Sequence, residues 1–358
     1  MSLATWGNKL HSGEKTYPLV QQRKRWFIAS AILVIASVAL LLGKGLTLGL
    51  DFTGGSQYIV TDVANPTEEI AQDAVAQIDS TQEPRITILG DDDVRVQLGE
   101  LSDADQQALT AALAEGYEVS TDAVSFDQIG PTWGAQVGKQ AVQALVIFLL
   151  LVFAVIALYF RAWRMAAAAI LALIHDLLLT VGVYALVGFE VTPAAVIGFL
   201  TILGYSLYDT VVVFDKVKEN TAHLTEQTRY TYEELANLAV NQTLVRSINT
   251  SVVALLPVAA ILFIGAFVLG AGTLMDISLA LFVGMAVGTY SSIFVATPLE
   301  VALRSREPRI VEHTEKVLAL RAGGGSDVVR EDGTVRVGAL TPGEHLGQGA
   351  QPKRKGRK

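Results

Sequence analysis

No cysteine occurs among the 358 residues, which removes disulfide frameworks, thiolate catalysis and cysteine-based metal sites from consideration. Charge is scarce too. Asp, Glu, Lys and Arg make up 17% of the chain, against about 25% in an ordinary soluble protein. Histidine is limited to five residues, none of them between 44 and 139. The chain is instead rich in apolar residues, 51% of the total, and these are gathered into runs. Six runs are long enough to cross a bilayer, which takes about 17–25 residues each. They cover 26–43, 140–160, 165–187, 193–214, 250–271 and 276–298. The first lacks a small-x-small cleavage site and reads as an uncleaved span rather than a signal peptide.

The basic residues sort by segment. The arm 1–25, the turn 161–164, the connection 215–250 and the tail from Arg304 together hold 23 of the 27 Lys and Arg. Lys44, Arg85, Arg95 and Lys139 are the remainder. The positive-inside rule then places both termini in the cytoplasm, as an even number of spans requires. The tail 299–358 is weakly patterned and ends in Lys353-Arg354-Lys355-Gly356-Arg357-Lys358. It reads as disordered, its basic end fixing topology or solubility.

Residues 44–139 are too polar to lie in lipid and form the one large segment expected outside. Between 48 and 136 there are 17 Asp or Glu against two Arg. Strand composition at 56–63, a helix over 66–78 and strands at 85–89 and 93–98 around Gly90–Asp91 come first. A helix over 102–115, opened by Ser102 and ended by Gly116, and a strand over 117–126 complete the series. The order β-α-β-β-α-β is that of an α+β ferredoxin-like unit. The Asp91-Asp92-Asp93 run reads as a solvated turn rather than a cation site. Glycines gather at both edges, at 49, 54 and 55 and at 130, 134 and 138, as hinges or as close-packing points.

Charges inside the apolar runs carry the functional signal. Asp209 is the single charge in 193–214, at a cost of roughly 2.5–3.5 kcal/mol for a carboxylate at mid-membrane. Helical spacing gives it a polar face with Tyr205, Ser206 and Thr210, about 7–8 Å from the inner end of its span. Arg246 opens the fifth span and shares a face with Asn249 and Thr250. The antiparallel run of spans four and five sets Arg246 at a depth similar to Asp209. The two read as a proton-responsive pair or as a static strap between helices. His175 and Asp176 lie midway along the third span, as a relay or as inter-helix hydrogen bonding. Asp215 and Glu219 read as a solvated face at the inner edge.

Several ordered motifs resemble those of the SecD/SecF protein-export family. Gly49-Leu50-Asp51-Phe52-Thr53-Gly54-Gly55 follows the first span, and Gly130-Pro131-Thr132-Trp133-Gly134 precedes the second. His175-Asp176 lies in the third span. The run from Gly204 to Asp215, GYSLYDTVVVFD, is the most specific and resembles the SecF form. Asn241-Gln242-Thr243-Leu244-Val245-Arg246-Ser247 opens the fifth. The resemblance covers about residues 24–300 and departs at Tyr208, where the family carries Asn.

That resemblance implies a six-span RND-like half in a bacterial cytoplasmic membrane, pairing with SecD. It also implies work beside the SecYEG channel and the SecA motor on a translocating polypeptide, with membrane lipid around it. No specific nucleic acid, metal or cofactor is expected; the proton is the coupling ion. Proton-motive force would drive export through Asp209 and Arg246, with His175, Asp176 and Asp215 as secondary positions. Asp51, Phe52, Gly54, Gly55, Gly130, Pro131, Gly204 and Thr210 carry the motif. The rival readings are an RND-like exporter of lipids or small molecules, for which one outer domain and six spans are too few, and a purely structural subunit.

Overall fold

Helices α1 (Leu3–His11) and α2 (Arg23–Gly43) open the computed structural model, which describes residues 3–90, 92–266 and 272–322. There follow β1 (Thr47–Leu48), α3 (Leu50–Thr53), β2 (Gly55–Val60), α4 (Glu68–Ile78), β3 (Arg85–Leu89), β4 (Asp93–Leu98), α5 (Asp103–Gly116) and β5 (Val124–Ile129). The described remainder is helical apart from one short strand and connecting turns. It comprises α6 (Pro131–Phe160), α7 (Trp163–Val187), β6 (Glu190–Val191), α8 (Pro193–Thr221), α9 (Tyr232–Ala260), α10 (Gly272–Ser291), α11 (Thr297–Arg304) and α12 (Pro308–Ala322). Among the described residues six helices are long and apolar enough to cross a membrane: α2, α6, α7, α8, α9 and the α10–α11 rod.

The segment between the first two spanning helices folds as a four-stranded antiparallel sheet of order β3-β4-β2-β5, with α4 and α5 in its crossovers. Tyr58 and Val60 on β2 and Val94 and Val96 on β4 share one face by their alternation. With Val75, Leu109 and Leu113 of the helices they make this domain's core. Ser102 caps α5 by accepting from the Asp105 amide at 3.3 Å. The last strand begins at Val124 rather than 117, because α5 runs through Gly116 and a 3₁₀ turn, Thr121–Ala123, intervenes. Asp91, in the expected hairpin, lies outside the described residues.

The opposite face of the sheet is polar. Gln57, Arg95, Gln97 and Asp127 look across a cavity of about 300 Å³ at Glu190 and Asp276 of the helical bundle. Backbone and side-chain contacts tie domain to bundle at this end. β1 pairs in parallel with β6, Thr47 opposite Glu190 and Leu48 opposite Val191. The Gly49 amide donates to the Val191 carbonyl at 2.9 Å. Gln97 donates to Glu190 at 3.2 Å.

Within the bundle, α8 and α10 approach closely. A Cβ on Gly284 would come within 2.1 Å of Ile202, and one on Gly288 within 2.9 Å of Ser206. Such spacing lets helix backbones pack without lipid between them. The α10 helix then passes through a π-helical turn, Ser292–Ala296, into α11.

At the end remote from the sheet the helices project past their apolar stretches. The connection expected over 215–250 is mostly helix: α8 continues to Thr221 and α9 starts at Tyr232. A capping box between Thr231 and Glu234 fixes that start. The N-terminal arm is built into this end, since Asn241 and Asn237 of α9 accept from the amides of Tyr17 (2.7 Å) and Val20 (3.1 Å). The tail, read as disordered from 299, is ordered through Ala322. Arg321 of α12 makes a two-pronged bond to Glu234 at 2.7 Å on each arm, and His313 bonds the Gln227 carbonyl at 2.8 Å. Residues 323–358 lie outside the described residues.

Candidate functional site

Four helices bring carboxylates and hydroxyls together in the middle of the bundle. On α8, Ser206 and Asp209 are three residues apart and so share a face. Both are buried. The Ser206 hydroxyl donates to Asp176 Oδ2 of α7 at 2.5 Å. The other oxygen of Asp176 lies 3.1 Å from His175 Nδ1. Asp209 Oδ1 accepts from Ser247 of α9 at 2.8 Å, and its Oδ2 from Ser292 of the π turn at 2.6 Å. Just above, Thr289 donates to Ser251 at 2.7 Å. A charged carboxylate bonded by hydroxyls gains about 1.5–3 kcal/mol per bond, which offsets part of the cost of burying it.

Arg246 does not reach Asp209, contrary to the expected pair. Consecutive residues on a helix point about 100° apart, and it is Ser247 that faces α8. Arg246 instead donates to the Tyr208 hydroxyl at 3.3 Å, and Tyr208 is an exposed residue. Tyr208 therefore stands outside the Asp209 pocket and serves Arg246. The expected shared face of Arg246, Asn249 and Thr250 does exist. It lines a groove of about 610 Å³ against Asn8 and His11 of α1.

The hydroxyl shell has a chemical consequence. A guanidinium can only donate, whereas a serine hydroxyl donates or accepts as it rotates. Asp209 is therefore satisfied by the same serines as a charged acceptor and, through weaker bonds, as a neutral acid. Among the described residues no cluster of three or more His, Asp or Glu could hold a metal.

The remaining motif residues fall into two groups. Asp51 and Phe52 sit on α3 at the domain–bundle junction, where a Cβ on Gly134 would meet the Phe52 carbonyl at 2.6 Å. The two glycine-bearing motifs are thus one contact. Gly54 closes α3, Gly55 opens β2 opposite Ile129, Gly130 caps α6 and Pro131 begins it. Asp51 lines the junction cavity. Burial, and secondarily Asp127, push its carboxyl above the usual range. In the second group, Thr210 is buried on α8, Gly204 faces open space, and Asp215 meets the Tyr159 hydroxyl at 3.5 Å. Ser247 and Ser292 were missing from the residues singled out by sequence. Ser247 closes a quoted motif, and Ser291-Ser292 is a polar pair in an apolar run, the one signal that pointed there.

Comparison with known proteins bears on the whole frame. The family described as protein export membrane protein SecD/SecF, C-terminal, matches residues 109–306, and the SecD/SecF GG motif matches 39–61. The protein translocase subunit SecF of Streptomyces coelicolor is 49% identical over 325 residues, 90% of this chain and 86% of that one. SecF of Mycobacterium tuberculosis is 41% identical over 338 residues, 91% and 76% of the two chains. The crystal structure of SecDF from Thermus thermophilus, a translocon-associated membrane protein, superposes with a TM-score of 0.72 at 32% identity. That match covers 82% of this chain and 39% of the Thermus chain.

Proposed function

From the premise that this chain belongs to the SecD/SecF family, as a protein translocase subunit of the SecF type, we propose that it couples the proton-motive force to protein export through Asp209. The observation that carries the proposal is the buried carboxylate held by Ser247 and Ser292 on two other helices. Protonation weakens both bonds, because a hydroxyl binds a charged acceptor more strongly than a neutral one. Three helices meet at Asp209, so a proton there alters how they pack. Field energy is about 2.3 kcal/mol per charge per 100 mV, comparable with the change in two such bonds.

In this reading the sheet domain is an extracytoplasmic ferredoxin-like unit, and both termini lie in the cytoplasm of a bacterial cell. The charge distribution supports it, with 23 of 27 Lys and Arg assigned to the inner side. The stretch shared with Thermus SecDF is 39% of that chain, whose name joins SecD to SecF, and a SecD-type half is the partner we assign. Arg246 with exposed Tyr208 gives that half a place to dock, since an Arg facing lipid is costly. His175 and Asp176 are the next protonatable groups along the hydroxyl line through Ser206, and Asp215 marks its inner edge. SecYEG, SecA and the moving polypeptide are the further partners this function requires.

The test is export of precursor proteins by Asp209→Asn, with and without an uncoupler. The variant is expected to assemble normally and to lose the uncoupler-sensitive part of export. Normal export by Asp209→Asn at full driving force rules the proposal out.

A further inference from the structure

A further buried acid lies toward the end of the bundle remote from the sheet. Glu300 on α11 is 0% exposed. The Tyr232 hydroxyl donates to its Oε1. Its Oε2 is buried with no hydrogen-bond partner among the described residues. Arg304, one turn further on, holds Nη1 3.7 Å from Glu300 Oε1. Its Nε lies nearer to Glu307, at 3.3 Å, and the same Glu307 oxygen is 3.1 Å from Arg164. The Arg304 guanidinium stands over the Tyr232 ring at 5.2 Å.

One cation thus stands between two carboxylates, one wholly buried and one partly exposed. A buried carboxylate in its charged form needs a cation or several donors. In its neutral form it needs neither, and Arg304 is then free for Glu307. The groups facing Glu300 come from every element around it: Tyr232 from the start of α9, Arg304 from its own helix, and beyond them Glu307 and Arg164, the latter at the start of α7. The cluster ties the feet of three spanning helices. It also lies on the same rod as Ser292. The eight residue steps from Ser292 to Glu300 span about 12 Å at helical rise, across the π turn that grips Asp209.

We propose that Glu300 is a second protonatable station, a latch whose proton decides whether Arg304 stays with Glu300 over Tyr232 of α9 or turns wholly to Glu307, which also pairs with Arg164 of α7. Its place in transport rests on Asp209 as the coupling acid; the latch itself does not. A proton at either carboxyl changes a bond made by the same rod, one to α8 and one to α9. The rod is therefore the element on which both protons act.

The experiment is hydrogen exchange of 232–240 and 297–307 in the full chain with its SecD-type partner, from about pH 5 to 9, a range that brackets buried carboxyls. Each pH is compared with Glu300→Gln at the same pH, which cancels intrinsic exchange. Wild type is expected to show a pH step of about tenfold, one decade per unit of altered proton affinity. Glu300→Gln removes it, and Asp209→Asn keeps it. Should Glu300→Gln fail to assemble, Tyr232→Phe, which leaves Glu300 buried, is expected to move the step along the pH axis. A wild type without a step, a step surviving in Glu300→Gln, or one unmoved in Tyr232→Phe overturns the latch. Normal export by Asp209→Asn overturns the coupling reading alone, because the exchange step does not depend on it.

Discussion

Ser247 and Ser292 each hold one oxygen of Asp209, and neither hydroxyl has a cation to compete with. Removing one leaves a buried acceptor short of a donor, at about 1.5–3 kcal/mol for a charged group. Ser292→Ala is therefore expected to reduce proton-driven export several-fold with expression unchanged, and Ser292→Thr to restore most of it. Asp51 makes a different residue-level prediction. Its carboxyl titrates above the ordinary range because of burial and Asp127. A raised folded value means the stabilisation is complete at low pH and is lost as pH rises through that value. Thermal melting of the full chain should thus weaken as pH rises from just above about 4, and Asp51→Asn should flatten that part of the profile. The Asp209 site was only half legible at this scale. Its cost in lipid and its polar face follow from composition and spacing. Its partner does not, because the facing angle of α9 depends on packing that no single helix encodes, and Arg246 and Ser247 are neighbours about 100° apart.

Helix pairs decide how close those residues come. Gly284 and Gly288 admit Ile202 and Ser206 of α8, and that approach sets the reach from Ser292 to Asp209. Overpacking a tight contact costs typically 1–3 kcal/mol. Gly288→Leu is expected to push α8 from α10, lower the melting temperature and impair export, whereas Gly204→Ala, facing open space, should alter neither. Element boundaries were legible where caps announce them, as at Ser102 and Gly116. They were missed where helix continues past the apolar run. Thr231 and Glu234 form a capping box at the true start of α9, and hydropathy alone cannot register it. The π turn at Ser292–Ala296 likewise has no apolar period of its own.

For the whole molecule, the absence of cysteine offers a direct test of orientation. A cysteine at exposed Asp103 of α5 should react with a membrane-impermeant maleimide on intact cells. One at exposed Glu226, between α8 and α9, should react only after permeabilisation. The reverse pattern would invert the topology. Six spanning helices and an inserted sheet unit were both readable from run lengths, charge and turn residues, since these are set by the bilayer and by local chemistry. The joint between them was not. Two residues of β1 meet two of β6 in parallel, across more than a hundred residues of chain, with no pattern in either to mark them.

That small joint has a mechanical meaning. Backbone hydrogen bonds contribute about 0.5–1.5 kcal/mol each, so a two-rung tie with the Gly49–Val191 bond holds with an energy of the same order as one charge crossing the field. A stronger hold would freeze the sheet unit, and a weaker one would let it wander. Under the proposed proton coupling the tie is expected to act as a pawl, released by the work of one or two ions.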